Sequence, residues 1–277
     1  MKKIHQKIIF LLFSVTTSVC FADNVSNESL DKILELSGVS VQVKEFPKQI
    51  KVGVEASQQQ ASQIEQDKLD LMLKMIDSAI LPKNMLSGIK TSLQQTMTEQ
   101  DIQKLLLWYE SKLGKEITQA EERLSTEEGF KEMIEAGDSL FENEARVAFA
   151  KRLDELLGLT KSTLDYQEAT SLAVYTAMMT SLRPEEDLDL AGFQAQKAMQ
   201  RRQLYPATQQ IVLASLLYSY QNVDMAKLQK YEAFLKTPHA LEFNKNAMMS
   251  MSNEFINSTS RFARGMAAIV QRQETGA

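Results

Sequence analysis

The stretch Thr98–Glu122, TEQDIQKLLLWYESKLGKEITQAEE, decides how the rest of the chain is read. Thr98 followed three residues on by Asp101 has the form of a capping box, with Asp as a shorter stand-in for Glu, so a helix is expected to start here. Ile102, Leu105 and the pair Trp108-Tyr109 recur at helical spacing. Gly114 is expected to end that helix in a left-handed conformation. Ser111 is placed to bond backbone near the helix end, and Ile117 opens a second apolar face. The stretch therefore predicts a corner between two helices whose angle is set by large buried rings. The competing reading is functional, with Trp108 and Tyr109 lining a groove and touching a ligand.

The same period runs through the chain. Gly and Pro are scarce, at 10 and 5, and apolar residues recur at three and four rather than two. Leu69, Met72, Leu73, Ile76 and Ile80 form one stripe, and Ile211, Ala214, Ser215, Tyr218 and Gln221 begin another. Val39–Val43 and Lys51–Val54 alternate briefly and are read as short helical or irregular segments. Pro47, Pro82, Pro184, Pro206 and Pro238 are each expected at a helix start or in a loop, because proline lacks the donor that a helix interior uses. Gly137-Asp138-Ser139 predicts a turn, and Arg183–Asp187 a charged loop. The fold class expected is all-α.

Laid together, the two halves match in three places, in order. Leu30–Leu34 pairs with Leu153–Leu157, and Ile80-Leu81-Pro82 with Leu204-Tyr205-Pro206. Ile102, Leu105 and Trp108-Tyr109 pair with Leu228, Tyr231 and Phe234-Leu235. Thr98 then falls opposite Asp224, and both residue types cap helices well. These matches predict a bundle of two tandem related helical repeats packed as a pseudo-dimer. The first covers 23–146 and the second 147–277, behind a signal peptide at 1–22.

Trp108-Tyr109-Glu110-Ser111-Lys112-Leu113-Gly114-Lys115 resembles the signature of the domain-of-unknown-function 2059 family: an aromatic pair, one residue, Ser or Thr, often Pro, one residue, Gly, then a basic residue. Lys112 stands where Pro is common. Phe234–Ala240 resembles a divergent second copy that keeps Phe234, Thr237 and Pro238 and has Ala240 in place of Gly. The family consists of exported, helical bacterial proteins of unassigned function. The resemblance implies an envelope location and a helical fold, and no reaction.

The N-terminus has the layout of a secretory signal. Lys2, Lys3 and Lys7 precede an apolar run from Ile8 to Phe13, and Cys20-Phe21-Ala22 ends it with small residues at −3 and −1. The run is shorter than the roughly 20 apolar residues of a spanning helix. Cleavage is expected after Ala22, and the location periplasmic, with no transmembrane segment in the mature chain. Cys20 leaves with the signal, which removes thiol catalysis and thiolate metal sites. The chain carries 31 basic and 36 acidic residues, and the signal takes away only bases. An acidic chain without a basic stripe argues against nucleic acid as a partner.

Chemistry-bearing groups are sparse. His5 lies in the signal, so His239 is alone in the mature chain and is read as a solvated turn residue. Glu110, Glu121 and Glu122 are the carboxylates that acid–base work would use; the alternative is solvated ion pairing of Glu110 with Lys104, Lys112 or Lys115. Glu185-Glu186-Asp187-Leu188-Asp189 gathers oxygens without the EF-hand glycine. Arg201-Arg202 is read as the charged last turn of a helix. Met72 with Met75, Met178-Met179, and Met248-Met249 with Met251 form methionine patches. Such patches fill cores, line adaptable apolar grooves, or ligate Cu(I) through thioethers.

The candidate ligand- or partner-binding residues are therefore Trp108, Tyr109, Phe234, Met178, Met179, Met248 and Met249. No catalytic residue, metal or cofactor is assigned. The first functional expectation is a non-enzymatic envelope protein that binds a protein, a peptide or an apolar ligand. The alternatives are a carboxylate-dependent hydrolase of envelope polymers and a structural or assembly module.

Overall fold

The computed structural model describes residues 25–60, 66–182 and 189–275, and every regular element among them is helical. In chain order these are α1 (Asn27–Leu36), α2 (Val39–Gln60), α3 (Gln66–Ala79), α4 (Pro82–Thr96), α5 (Glu99–Glu110), α6 (Lys112–Leu124), α7 (Glu127–Ala136), a 3-10 turn (Gly137–Phe141), α8 (Glu144–Leu157), α9 (Leu159–Leu182), α10 (Leu190–Tyr220), α11 (Met225–Leu235) and α12 (Pro238–Thr275). The expected signal segment, 1–22, and Arg183–Asp187 lie outside the described residues.

Side-chain caps set many of the starts. Ser26, Thr98, Ser111, Thr126, Asn143 and Asp189 each accept a hydrogen bond from the backbone N–H three residues on. At Thr98 the box is reciprocal: Asp101 N–H donates to Thr98 Oγ1 at 3.2 Å and Thr98 N–H to Asp101 Oδ2 at 3.4 Å. Pro82 and Pro238 open helices, as expected. Pro47 and Pro206 do not, for they lie inside α2 and α10. An interior proline forfeits one helix hydrogen bond. Tertiary packing, which supplies most helical stability in proteins, carries both helices through that loss. Val39–Val43 and Lys51–Val54 belong to one long helix, α2, rather than to short segments.

One core runs through both halves of the chain. Leu30, Ile33 and Leu34 of α1 meet Met85, Ile89 and Leu93 of α4 and Ile102 and Leu105 of α5; Phe149 and Leu153 of α8, Leu228 of α11 and Phe243 of α12 join the same cluster. Helix α12 integrates the fold, since it packs on α9 in its own half and on α3, α4 and α5 in the other. A smaller cluster holds Ala150, Leu213 and Leu217 beneath Leu140 and Phe141.

On α3, Leu69 and Ile76 are buried, Leu73 is half-buried, and Ile80 is buried just past the helix end, as their period predicts. On α10 the buried face includes Leu213, Leu217, Tyr218 and Tyr220, whereas Ile211 is 61% exposed. Of the expected stripe only Tyr218 is buried, because the face that packs on Ala150 of α8 is the one carrying Leu213 and Leu217. Arg201 and Arg202 sit mid-helix in α10, not in a last turn, and Arg201 pairs with Asp165 at 2.7 Å and Glu168 at 3.3 Å on α9.

The halves show parallel features. Gly38 (φ +76°) follows α1, and Gly158 (φ +63°) follows α8; each left-handed residue leads into a long helix, α2 or α9. The expected division at 146/147 falls in the first turn of α8.

Candidate functional site

The corner is built by Ser111, which both closes α5 and opens α6. Its backbone N–H donates to Trp108 O at 3.0 Å, and its Oγ accepts from Gly114 N–H at 2.9 Å. Gly114 is thus in the first turn of α6 and not a left-handed terminus. Its lack of a side chain serves close packing, because a Cβ there would stand 2.1 Å from Trp108 O and 2.9 Å from Tyr109 Cα. The sequence expectation named the right residue for the wrong reason.

The second corner repeats the backbone pattern. Thr237 N–H donates to Phe234 O at 2.9 Å, and Leu241 N–H to Thr237 O at 3.0 Å; at the first corner Lys115 N–H donates to Ser111 O at 3.0 Å. Thr237 Oγ1 bonds Phe234 O at 2.6 Å. Ala240, at the place of Gly114, is fully buried. His239 lies in the first turn of α12, half-buried rather than in a solvated turn. Burial first, and Lys104 next, push its pKa down.

The two corners meet ring to ring. Trp108 stacks on Phe234 with centroids 4.3 Å apart and planes 6° from parallel, and Tyr109 meets Phe234 edge-on at 5.7 Å and 88°. Tyr231 extends the cluster, 6.2 Å from Trp108. Tyr109 and Phe234 are buried and Trp108 is half-buried, with its Nε1 donor buried and unpartnered. Three of the predicted site residues are therefore gathered in one place, and they face each other. The methionines are elsewhere: Met248 and Met249 lie on α12 and Met179 on α9. Met249 is 54% exposed, Met179 and Met248 are half-buried, and the side chain of Met178 is outside the described residues.

Beneath the rings sits a group whose setting the sequence did not reveal. Glu121 on α6 accepts from Tyr220 Oη at 2.5 Å and from Tyr231 Oη at 2.7 Å, both through Oε1. Tyr109, Tyr220 and Tyr231 are all buried. Burial raises the carboxyl pKa of Glu121 against the lowering effect of the two phenol donors, and burial followed by the nearby Glu121 charge raises all three phenols. Arg146 of α8 holds Tyr220 in place by donating to Tyr220 O at 2.7 Å and Val223 O at 3.0 Å, a cation at a helix C-terminus. Beside it Arg146, Phe149, Tyr220 and Leu228 line a cavity with room for about one water molecule.

Glu110 and Glu121 do not share partners. Glu110 is exposed and ion-pairs with Lys32 of α1, not with the sequence-near lysines. Among the described residues no group of three or more His, Cys, Asp or Glu is disposed to hold a metal ion. No described helix is long and apolar enough to cross a membrane.

Fold and site together define an all-α protein assembled from helix–corner–helix units joined through stacked aromatics. Residues 83–142, from α4 to the end of the 3-10 turn, match the family described as an uncharacterized protein conserved in bacteria (DUF2059), which supports the resemblance read from the first corner. The match takes in the first corner and Glu121 and stops short of the second corner. No curated protein and no solved structure matches the chain.

Proposed function

We propose that the chain is an exported, non-enzymatic protein of the cell envelope that docks a protein or peptide partner on an exposed apolar helix surface. The observation that carries this reading is the outer side of α7 and its junction with α10. Phe130 and Ile134, one turn apart on α7, are 49% and 61% exposed. Ser215 Oγ meets Met133 Sδ at 3.5 Å across the junction, and exposed Ile211 lies one turn before Ser215 on α10. Singly scattered apolar residues need no explanation, whereas a local group of them marks an interaction surface. Stacked at 4.3 Å, Trp108 and Phe234 already occupy each other's faces. That contact favours a partner on the outer helices over a small ligand between the rings.

The same reading takes the two halves as divergent tandem copies packed as a pseudo-dimer. The equivalent rings Trp108 and Phe234 in contact, the shared corner hydrogen bonds and the glycines after α1 and α8 support it. Periplasmic residence rests on the signal-like N-terminus.

The test is native mass spectrometry of the protein released gently from its own periplasm, with the F130S/I134S variant beside it. A discrete adduct on the wild type, lost in the variant and on denaturation, is the expected result, on a chain that begins at Asp23. A bare monomer in both overturns docking in favour of a structural role. A chain retained in the cytosol with its first 22 residues overturns export.

A further inference from the structure

Glu121 is a carboxylate without a cation. Basic groups on the elements around it are committed: Lys227 of α11 pairs with Glu116 at 2.7 Å, Arg123 of α6 pairs with Glu132 of α7, and Arg146 of α8 donates to the Tyr220 and Val223 carbonyls. Among the described residues no ion pair reaches Glu121. What faces it is neutral or acidic: Tyr109 from α5, Tyr220 from α10, Tyr231 from α11 and Glu122 from its own helix. Tyr218 of α10 is turned to Glu132 instead. The side chain is half-buried, so protons exchange with solvent while Oε1 is held inside by two phenols.

Those contacts cross the molecule. Glu121 is on the α5–α6 unit, and Tyr220 and Tyr231 flank the turn from α10 to α11. We infer that Glu121, Tyr220 and Tyr231 form a proton-operated clasp between the two halves, tightest when Glu121 is protonated and loosened as it ionises. A neutral carboxyl keeps both phenol bonds through its carbonyl oxygen. An ionised one strengthens them but leaves a charge with no cation beside three buried rings, and withdrawing even part of an unpaired ion from water costs free energy. A charge-assisted hydrogen bond returns only part of that. The direction of the Glu121 shift agrees, with burial the dominant cause.

The sign follows from linkage. A carboxyl whose folded pKa exceeds its ordinary 4.5 adds stability that is complete below 4.5 and is lost as pH rises through the folded value. The clasp is thus an acid-side lock.

The experiment is a carbon-13 NMR titration of the glutamate carboxyls in the wild-type mature protein, with native-state hydrogen exchange of α6, α10 and α11 amides from pH 4 to 8. The expected Glu121 midpoint lies above 4.5. Local opening, corrected for the intrinsic exchange rate, should rise about tenfold for each pH unit of that displacement. E121Q should keep the phenol bonds and lose the pH dependence of opening, and Y231F should move the Glu121 midpoint further up by removing a donor. A wild-type midpoint at or below 4.5 overturns the clasp, as does pH-dependent opening that persists in E121Q. The wild-type titration decides the matter even if a variant fails to fold.

Discussion

Trp108 and Phe234, 126 positions apart by their numbers, lie face to face at 4.3 Å with planes 6° from parallel. Trp108 stands three residues before Ser111 and Phe234 three before Thr237, so the stack joins the corners directly. Truncating either ring is expected to cost about 3–5 kcal/mol. A double-mutant cycle of W108A and F234A should show about 0.5–1.5 kcal/mol of coupling beyond the area lost. Denaturant unfolding followed by circular dichroism measures both. Strictly additive losses would mean that the rings merely fill space.

Gly114 and Ala240 occupy equivalent places with unequal tolerance. A Cβ at 114 meets Trp108 O at 2.1 Å, too close for any rotamer to relieve, so G114A should cost about 2 kcal/mol or more. A240G should cost only about 1 kcal/mol, the helix penalty of glycine. S111A, which removes the cap on Gly114 N–H, should cost about 1 kcal/mol. Thermal denaturation of the three variants ranks them; G114A as mild as A240G would contradict the close approach.

Glu232 is nearly buried between Arg152 at 3.0 Å and Lys236 at 2.8 Å. Hydrogen bonds from Arg152 and then Lys236 hold its carboxyl down to about 2, below the ordinary 4.5. A depressed folded pKa contributes stability that is present above 4.5 and lost as pH falls through about 2. E232Q should therefore lose about 2 kcal/mol at pH 7, allowing for the screening of half-exposed Arg152. The difference from wild type should shrink between pH 4.5 and 2. Urea midpoints across that range test it. This carboxylate and Glu121 act in opposite senses, so acid weakens one tie between α8 and α11 while strengthening the other between α6 and α11.

Phe130 and Ile134 sit on the outside of α7, and replacing both by serine should leave the unfolding midpoint nearly unchanged, within about 0.5 kcal/mol per site. A marked loss of stability would show that the pair supports the fold instead of offering a surface.

Helix was legible along most of the chain because its signals are local. The Thr98 box, the openings at Pro82 and Pro238 and the α3 face at Leu69 and Ile76 each depend on neighbours within a turn or two. Prediction failed where a local penalty met a distant gain. Pro47 and Pro206 break the local rule and still lie in helices, and the buried face of α10 follows α8 rather than its own strongest stripe. Of the ring cluster, Trp108 and Tyr109 were singled out through the motif, Phe234 through the likeness of Phe234–Ala240 to it, and Tyr231 through the same alignment. Tyr220 had no such signal, since only the fold carries it to Glu121, 99 positions away in sequence.

The residues alone settled the all-α class, the corner and a content of two histidines and one cysteine, all of which depend on residue type and short spacing. The setting of each acid was decided in three dimensions. Glu110 reaches Lys32 in solvent, Glu116 reaches Lys227, Glu121 lies under tyrosines, and Glu132 joins Arg123. Four glutamates of one stretch acquire different surroundings because burial and partner come from helices remote in sequence, and where these act most strongly they raise the carboxyl pKa of Glu121 by burial and lower that of Glu132 through the Tyr218 and Arg123 donors.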